Sequence, residues 1–208
     1  MLDQESQFQE NFNVSRETIE RLRSYESLLR KWNPKINLVA ESTLHQIWQR
    51  HFADSAQIWA YCDKSTQHWL DLGSGGGFPG LIIAILAAEE GRSQKTTLVE
   101  SDQRKAAFLR KVSVDLDLSV DIKAMRSEKL QPQNADVVSA RAFAPLPKLL
   151  LHADRHVKKG GICLLLKGEK VISELTEARK YWTFQLEVAP SITSEGGVIT
   201  KIWDISGA

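Results

Sequence analysis

Cysteine is scarce: Cys62 and Cys163 are the only two in 208 residues, far apart and without partners at metal-ligand spacing. That excludes a disulfide framework and a cysteine zinc site, and sets the expectation of a reducing, cytoplasmic setting. Long apolar runs are missing as well. The longest, around residues 81–88, is far too short to span a bilayer, so no membrane is expected as a partner. The first residues, Met1-Leu2-Asp3-Gln4-Glu5, are polar and acidic, unlike a secretory leader. Repeats and low-complexity tracts are absent. Charge of one sign is lacking too, since 27 basic and 26 acidic residues leave a net +1. No global field draws in an anionic partner, and any nucleic-acid contact has to come from local basic patches. His152 and His156 stand four apart without a third ligand, so no metal is expected.

What is present is a globular composition, 42% apolar and 25% charged, in a chain long enough for one sizeable core. Two patterns follow one another. Residues 15–32 read as a helix, with Ser15 as N-cap and Leu22, Tyr25, Leu29 and Trp32 on one face, ended by Pro34. Residues 43–61 read as a second helix, with Ile47, Trp48, Phe52, Ala56 and Trp59 as its stripe. From His68 onward, strands alternate with helices. Strands are expected at 69–72, 96–99, 119–124, 136–139 and 162–166, and helices at 79–88, 103–116, 148–156 and 171–182. Residues 184–188 and 198–205 read as a closing antiparallel pair around Ser194-Glu195-Gly196-Gly197. Such alternation implies an α/β, Rossmann-like fold with a mostly parallel sheet covered on both faces. Residues 1–65 are expected to be a helical extension packed on a domain spanning 66–208.

The most informative stretch is Asp71-Leu72-Gly73-Ser74-Gly75-Gly76-Gly77-Phe78-Pro79-Gly80, which follows a strand and opens a helix. Glycines suit a sharp turn whose backbone approaches a ligand, and the helix N–H groups that follow point at that ligand. Two patterns fit. Gly75-x-Gly77-x-x-Gly80 matches a dinucleotide fingerprint, whereas Asp71-x-Gly73-x-Gly75-x-Gly77 looks like the loop of S-adenosylmethionine methyltransferases. The second starts at the strand end and carries an acidic residue before its first glycine. Glu100, ending the next strand, suits ribose hydroxyls under either reading. No Gly-Lys-Ser/Thr follows, so a P-loop is excluded.

Several segments together resemble one family. They are Trp32-Asn33-Pro34-Lys35-Ile36-Asn37-Leu38, Arg50-His51-Phe52-Ala53-Asp54-Ser55, the glycine stretch through Phe78-Pro79-Gly80, Arg104-Lys105-Ala106-Ala107-Phe108-Leu109-Arg110, Ser139-Ala140-Arg141-Ala142-Phe143-Ala144 and Leu166-Lys167-Gly168. Over roughly residues 25–168 they resemble the bacterial 16S ribosomal RNA guanine-N7 methyltransferases, the RsmG or GidB family. Val39, where the family often has threonine, departs from the pattern. The resemblance implies methyl transfer from S-adenosylmethionine to N7 of a guanine in 16S rRNA. It assigns cofactor contacts to Gly73, Phe78, Ser127, Glu128 and Arg141, and matches Glu100 to the family's acidic residue. Asp71, Gly75 and Gly77 join this set from the loop itself.

The residues permit such a target. Neither cysteine is placed to activate a pyrimidine, and no Asn/Asp-Pro-Pro-aromatic box for amine methylation follows the fourth strand. Guanine N7 already has an in-plane lone pair, so alignment is the main requirement. Arg141 at the carboxyl edge of the fourth strand is the candidate catalytic residue, binding guanine or cofactor through its forked donors. Basic residues Arg104, Lys105, Arg110 and Lys111 on one helix, those of 15–35, and Arg50, His51 and Lys167 are candidate contacts to 16S rRNA or the small ribosomal subunit. Trp32, Trp48, Trp59 and Trp69 fall on core stripes. Competing readings are a small-molecule methyltransferase with the extension as a lid, an NAD(P)-dependent oxidoreductase, and a non-catalytic RNA-binding assembly factor.

Overall fold

The computed structural model describes residues 3–207. Seven strands form one sheet: β1 (His68–Leu72), β2 (Lys95–Val99), β3 (Val120–Lys123), β4 (Ala135–Arg141), β5 (Val157–Lys167), β6 (Trp182–Pro190) and β7 (Val198–Gly207). Their order is β3-β2-β1-β4-β5-β7-β6. β1 to β5 run parallel, and β7 lies antiparallel between β5 and β6. The expected parallel sheet with a closing antiparallel pair is what forms. Its order reverses between β1 and β4, and in such sheets the crevice at that reversal, beyond the strand carboxyl ends, is where ligands bind.

The helices are α1 (Gln4–Phe12), α2 (Arg16–Ile36), α3 (Asp54–Ala56), α4 (Gly80–Glu89), α5 (Gln103–Asp115), α6 (Leu146–His156) and α7 (Val171–Ala178). α4 is apolar on every side because it is enclosed, with β1 and β2 on one flank and α2 and α3 on the other. Tyr25, Phe52, Phe78, Phe108 and Trp48 fill the space between the extension and α4–α5, and all five are buried. Burial of each such ring contributes about 1.5–3 kcal/mol. Residues of the extension and of the strand–helix region therefore share one continuous core.

Three boundaries differ from expectation. α2 continues through Pro34 to Ile36. The proline sits in the last turn, where it removes only one bond, and the end is built by its neighbour. Asn33 Oδ1 accepts the Leu38 and Val39 N–H groups at 2.8 and 2.9 Å, and Asn37 closes the turn in the left-handed region. The predicted helix 43–61 is a chain of unlike turns, a 3-10 stretch (Glu41–Gln46), a π turn (Trp48–Ala53), α3 and a second 3-10 stretch (Gln57–Tyr61). His51, Phe52 and Ala53 in the π turn are all buried. α7 stops at Ala178 rather than 182, because Trp182 begins β6 and its indole N–H donates to the Pro147 carbonyl at 3.1 Å. Helix α1, capped by Asp3 on the Ser6 N–H, has no counterpart in the sequence reading.

Candidate active site

The glycine turn leaves β1 at Leu72 and enters α4 at Gly80. Gly73, Gly75 and Gly77 all have positive φ, at 69°, 55° and 100°. A Cβ at Gly73 would overlap the Phe143 ring, and one at Gly77 would overlap Tyr25 and Leu81. Gly75 differs: a Cβ there would meet only the Gly73 carbonyl, at an ordinary 3.8 Å, so no side chain crowds the loop at this point. The Tyr25 hydroxyl donates to the Gly76 carbonyl, and burial pushes its pKa well up, so it stays a donor. The shape of the loop is thus held from the extension.

Asp71 does not reach the ligand side. It is fully buried, with Oδ1 accepting from Ser139 Oγ at 2.7 Å and Oδ2 accepting from the Gly80 N–H at 3.2 Å. Burial raises its pKa to about 6. The expected cofactor contact is therefore corrected: strand alternation turns this side chain beneath the first turn of α4, where it anchors the loop. Phe78 is corrected in the same way. It is buried, its N–H is taken by the Ser74 carbonyl, and its ring lies between Tyr25 and His51 at centroid distances of 5.5 and 5.1 Å.

Glu100 is buried at the end of β2. Its two oxygens accept the Gly75 and Asp102 N–H groups at 2.9 and 2.7 Å. Each oxygen keeps a lone pair for a further donor, as a ribose diol requires. Glu100, Gly73, Ser127, Glu128, Phe143 and His152 line a cavity of about 330 Å³. A larger cavity of about 830 Å³ lies beside it, lined by Arg141, Asp54, His51, Arg50, Lys167 and Thr193 among others. Phe143 and its neighbours Ala142 and Ala144 line both and divide them. A carboxylate at the diol position, a glycine loop uncrowded at Gly75 and a nucleoside-sized volume fit S-adenosylmethionine.

Arg141 is held from three sides. Nη1 donates to the Arg50 carbonyl at 3.2 Å and to Asp54 Oδ2 at 3.3 Å, and Nη2 donates to His51 Nδ1 at 3.0 Å. Its guanidinium carbon lies 4.8 Å from the Phe78 ring centre, a cation–π contact. Asp54 is itself fixed by Thr193 and Gln57 at 2.8 and 3.0 Å. Arginine only donates, so His51 Nδ1 must accept and Nε2 carries the proton, given to Thr43 Oγ1 at 2.7 Å. Burial, with Arg141 and Arg50 nearby, lowers the His51 pKa to about 3. His51 was expected to meet RNA phosphate. It is instead a buried, neutral prop for Arg141 and offers no charge to a phosphate.

The other basic candidates are dispersed. Arg50 is exposed at the larger cavity. Lys167 also lines it, but its Nζ is bound to Glu174 and the Ala144 carbonyl at 2.8 and 3.0 Å. Arg104 and Lys105 lie in the first turn of α5, close after Glu100, with Arg104 loosely paired to Asp102 at 3.3 Å, while exposed Arg110 lies further along the helix. The structure adds Phe143, Asp54, Tyr25 and His152, to which sequence gave no role. Asp54 and Phe143 stand inside the quoted segments, but no spacing in one dimension shows what they face. Cys163 is buried, with its thiol pushed up to about 12, so it supplies no thiolate. Among the described residues no His/Cys/Asp/Glu group is arranged to hold a metal ion.

The fold recurs in solved structures. A TehB-like SAM-dependent methyltransferase from Corynebacterium glutamicum superposes with a TM-score of 0.59 at 12% identity, covering 87% of this chain and 98% of that one. A predicted O-methyltransferase from Agrobacterium tumefaciens gives 0.56 at 20% identity, covering 76% and 81%. Sequence relatives are much nearer. Ribosomal RNA small subunit methyltransferase G of Rhodospirillum centenum is 50% identical over 199 residues, covering 96% of this chain and 90% of the relative. That of Cereibacter sphaeroides is 47% identical over 202 residues, covering 97% of each. The family model GidB, rRNA small subunit methyltransferase G, matches residues 18–202. With its glycine loop, Glu100 and paired cavities at the sheet reversal, the chain belongs to the GidB family and is an S-adenosylmethionine-dependent methyltransferase.

Proposed function

We propose that this chain transfers the methyl group of S-adenosylmethionine to N7 of a guanine in 16S rRNA, within the small ribosomal subunit. The observation that carries the reading is the pair of cavities meeting at Phe143, one of nucleoside size over Gly73 and Glu100, the other broad and rimmed by basic residues. The bound cofactor supplies an electrophilic methyl on a sulfonium. Glu100 orients its ribose, and no side chain crowds the loop at Gly75. Arg141, held rigid by Asp54 and His51, presents its remaining N–H groups to an oxygen of cofactor or base. N7 needs no base to attack, so the residues act by alignment and by excluding water. Residues 1–65 serve as an extension that shapes the site, on a domain of 66–208.

The direct test incubates the protein with labelled methyl donor and small subunits lacking the modification, then maps the product. One guanine carrying a new N7-methyl group is the expected result; label on a base nitrogen other than N7, or only on small metabolites, refutes the proposal. Arg50, Arg104, Lys105 and Arg110 are proposed phosphate contacts. The Arg104→Ala/Lys105→Ala variant should bind rRNA more weakly and lower the slope of log Kd against log salt by about 1.5. An unchanged slope removes both residues from the interface. Among the described residues no helix is long and apolar enough to cross a membrane, in keeping with a cytoplasmic place of action on ribosomal RNA.

A further inference from the structure

Residues 142–145 link β4 to α6, and Ala142, Phe143 and Ala144 of this link line both cavities. The link is the partition between them. Burial alone does not fix it, since Ala142 and Pro145 are exposed and Phe143 is half-buried. Its backbone is also under strain. Ala142 has a φ of 50°, a left-handed conformation that a Cβ disfavours, and such a residue persists only where its surroundings hold it.

The hold comes from two side chains elsewhere in the chain. Lys167, the last residue of β5, donates from Nζ to the Ala144 carbonyl at 3.0 Å and to Glu174 Oε2 at 2.8 Å. The same oxygen of Glu174, on α7, accepts the Leu146 N–H at 2.8 Å, where α6 begins. One ammonium and one carboxylate thus pin the backbone on both sides of Pro145, which has no N–H of its own to bond. The two side chains are only 10% and 25% exposed, so little water competes for these bonds. Two of the three Nζ hydrogens are spent inside the protein, and the paired ammonium offers a phosphate no net charge.

We propose that Lys167 and Glu174 are positioning residues for methyl transfer: they clamp the link that carries Phe143 and so set how closely donor and acceptor approach. This rests on the reading above, with the donor in the smaller cavity and guanine in the larger. Residues 142–144 then stand at the crossing between the two ligands. A misplacement of about 1 Å at such a crossing can cost about a hundredfold in rate. A slack partition leaves each ligand its own anchors, Glu100 on one side and the rim of the larger cavity on the other. The clamp therefore acts on the chemical step rather than on binding. Lys167, a candidate RNA contact by sequence, serves the partition instead.

The test uses the full chain, small subunits lacking the modification and labelled methyl donor. Lys167→Met is expected to lower kcat about tenfold, while KM for the subunit and Kd for S-adenosylhomocysteine change less than twofold. A raised KM with kcat unchanged overturns the proposal. The slope of log Kd for rRNA against log salt should stay as in wild type; a drop of about 0.7–0.9, the mark of one lost phosphate contact, overturns it too. The Phe143→Ala background separates a clamp from general support. Phe143→Ala alone should lower kcat at least as far, and adding Lys167→Met should then change kcat less than twofold, because the residue through which the clamp acts is gone. Effects that multiply in the double variant, or a Phe143→Ala protein at full rate, overturn the proposal. Glu174→Gln keeps an oxygen for the Leu146 N–H and should retain more of kcat than Glu174→Ala. Should Lys167→Met fail to fold, Glu174→Ala in both backgrounds is read in the same way. Failure of wild type to bind S-adenosylhomocysteine or to methylate subunits would strike the function reading itself, a distinct result.

Discussion

Replacing Asp54 with alanine is expected to lower kcat/KM for methyl transfer about a hundredfold. Asp54 and Arg141 have side chains only 19% and 18% exposed, so the pair is largely out of water. Removing one partner of such a pair leaves the other charge uncompensated, and complete burial would put the loss at about 3–5 kcal/mol. That cost falls on stability; the loss in rate follows from a guanidinium no longer held at the site, and a factor of a hundred corresponds to about 2.7 kcal/mol of transition-state stabilisation. Arg141→Ala should cost a similar factor, since both changes break the same unit. The double variant should therefore be little worse than either single one. Full additivity in rate measurements on the four proteins would show that the carboxylate does not act through the guanidinium. Asp54→Asn keeps an oxygen for Thr193 and should retain more activity than the alanine variant.

The second large effect concerns acid. His51 is neutral in the folded protein, with its pKa lowered from 6.5 to about 3. A depressed pKa on a base means that the unfolded chain takes up the proton first as pH falls. The stabilising contribution is complete above pH 6.5 and is lost between 6.5 and 3, in total about 5 kcal/mol. His51→Gln stays uncharged throughout while keeping an acceptor for Arg141. Its stability relative to wild type should therefore improve by about 3 kcal/mol between pH 7 and pH 4 in urea unfolding. A difference that stays constant over that range would mean that the ring is free to charge in the native state.

Much of the fold could be read in one dimension because periodicity and glycine carry it. The strands, the mostly parallel sheet and the closing antiparallel pair followed from apolar runs separated by turns, and residues 79–88 read as a helix opened by the glycine turn. Errors arose where tertiary contacts set local shape. Pro34 stops no helix when Asn33 supplies the acceptor that ends it. The segment through Trp48 and Phe52 has a helical stripe, yet it folds as a π turn between 3-10 stretches, a difference that the stripe does not encode. The site was legible as a set of segments but not as a geometry. Glu100, Gly73 and Ser127 line the smaller cavity and Arg141 the larger, whereas Asp71, Phe78 and His51 are buried beside them. A titratable residue in a motif looks the same in sequence whether it touches a ligand or holds the residue that does. Only burial and hydrogen-bond partners separate the two.

The hydroxyl of Tyr25 on the Gly76 carbonyl has a wider consequence. The seven strands account for every rung of the sheet, but the curvature of the loop above them is imposed by a phenol from a helix that lies upstream of the first strand. Trimming the chain back to the alternating region would release the grip on the loop and uncover the apolar flank of α4 together with Phe78 and Phe108. Tyr25, which lines neither cavity, is then a lever on donor affinity, and the upstream helices are as much a part of the catalyst as the strands.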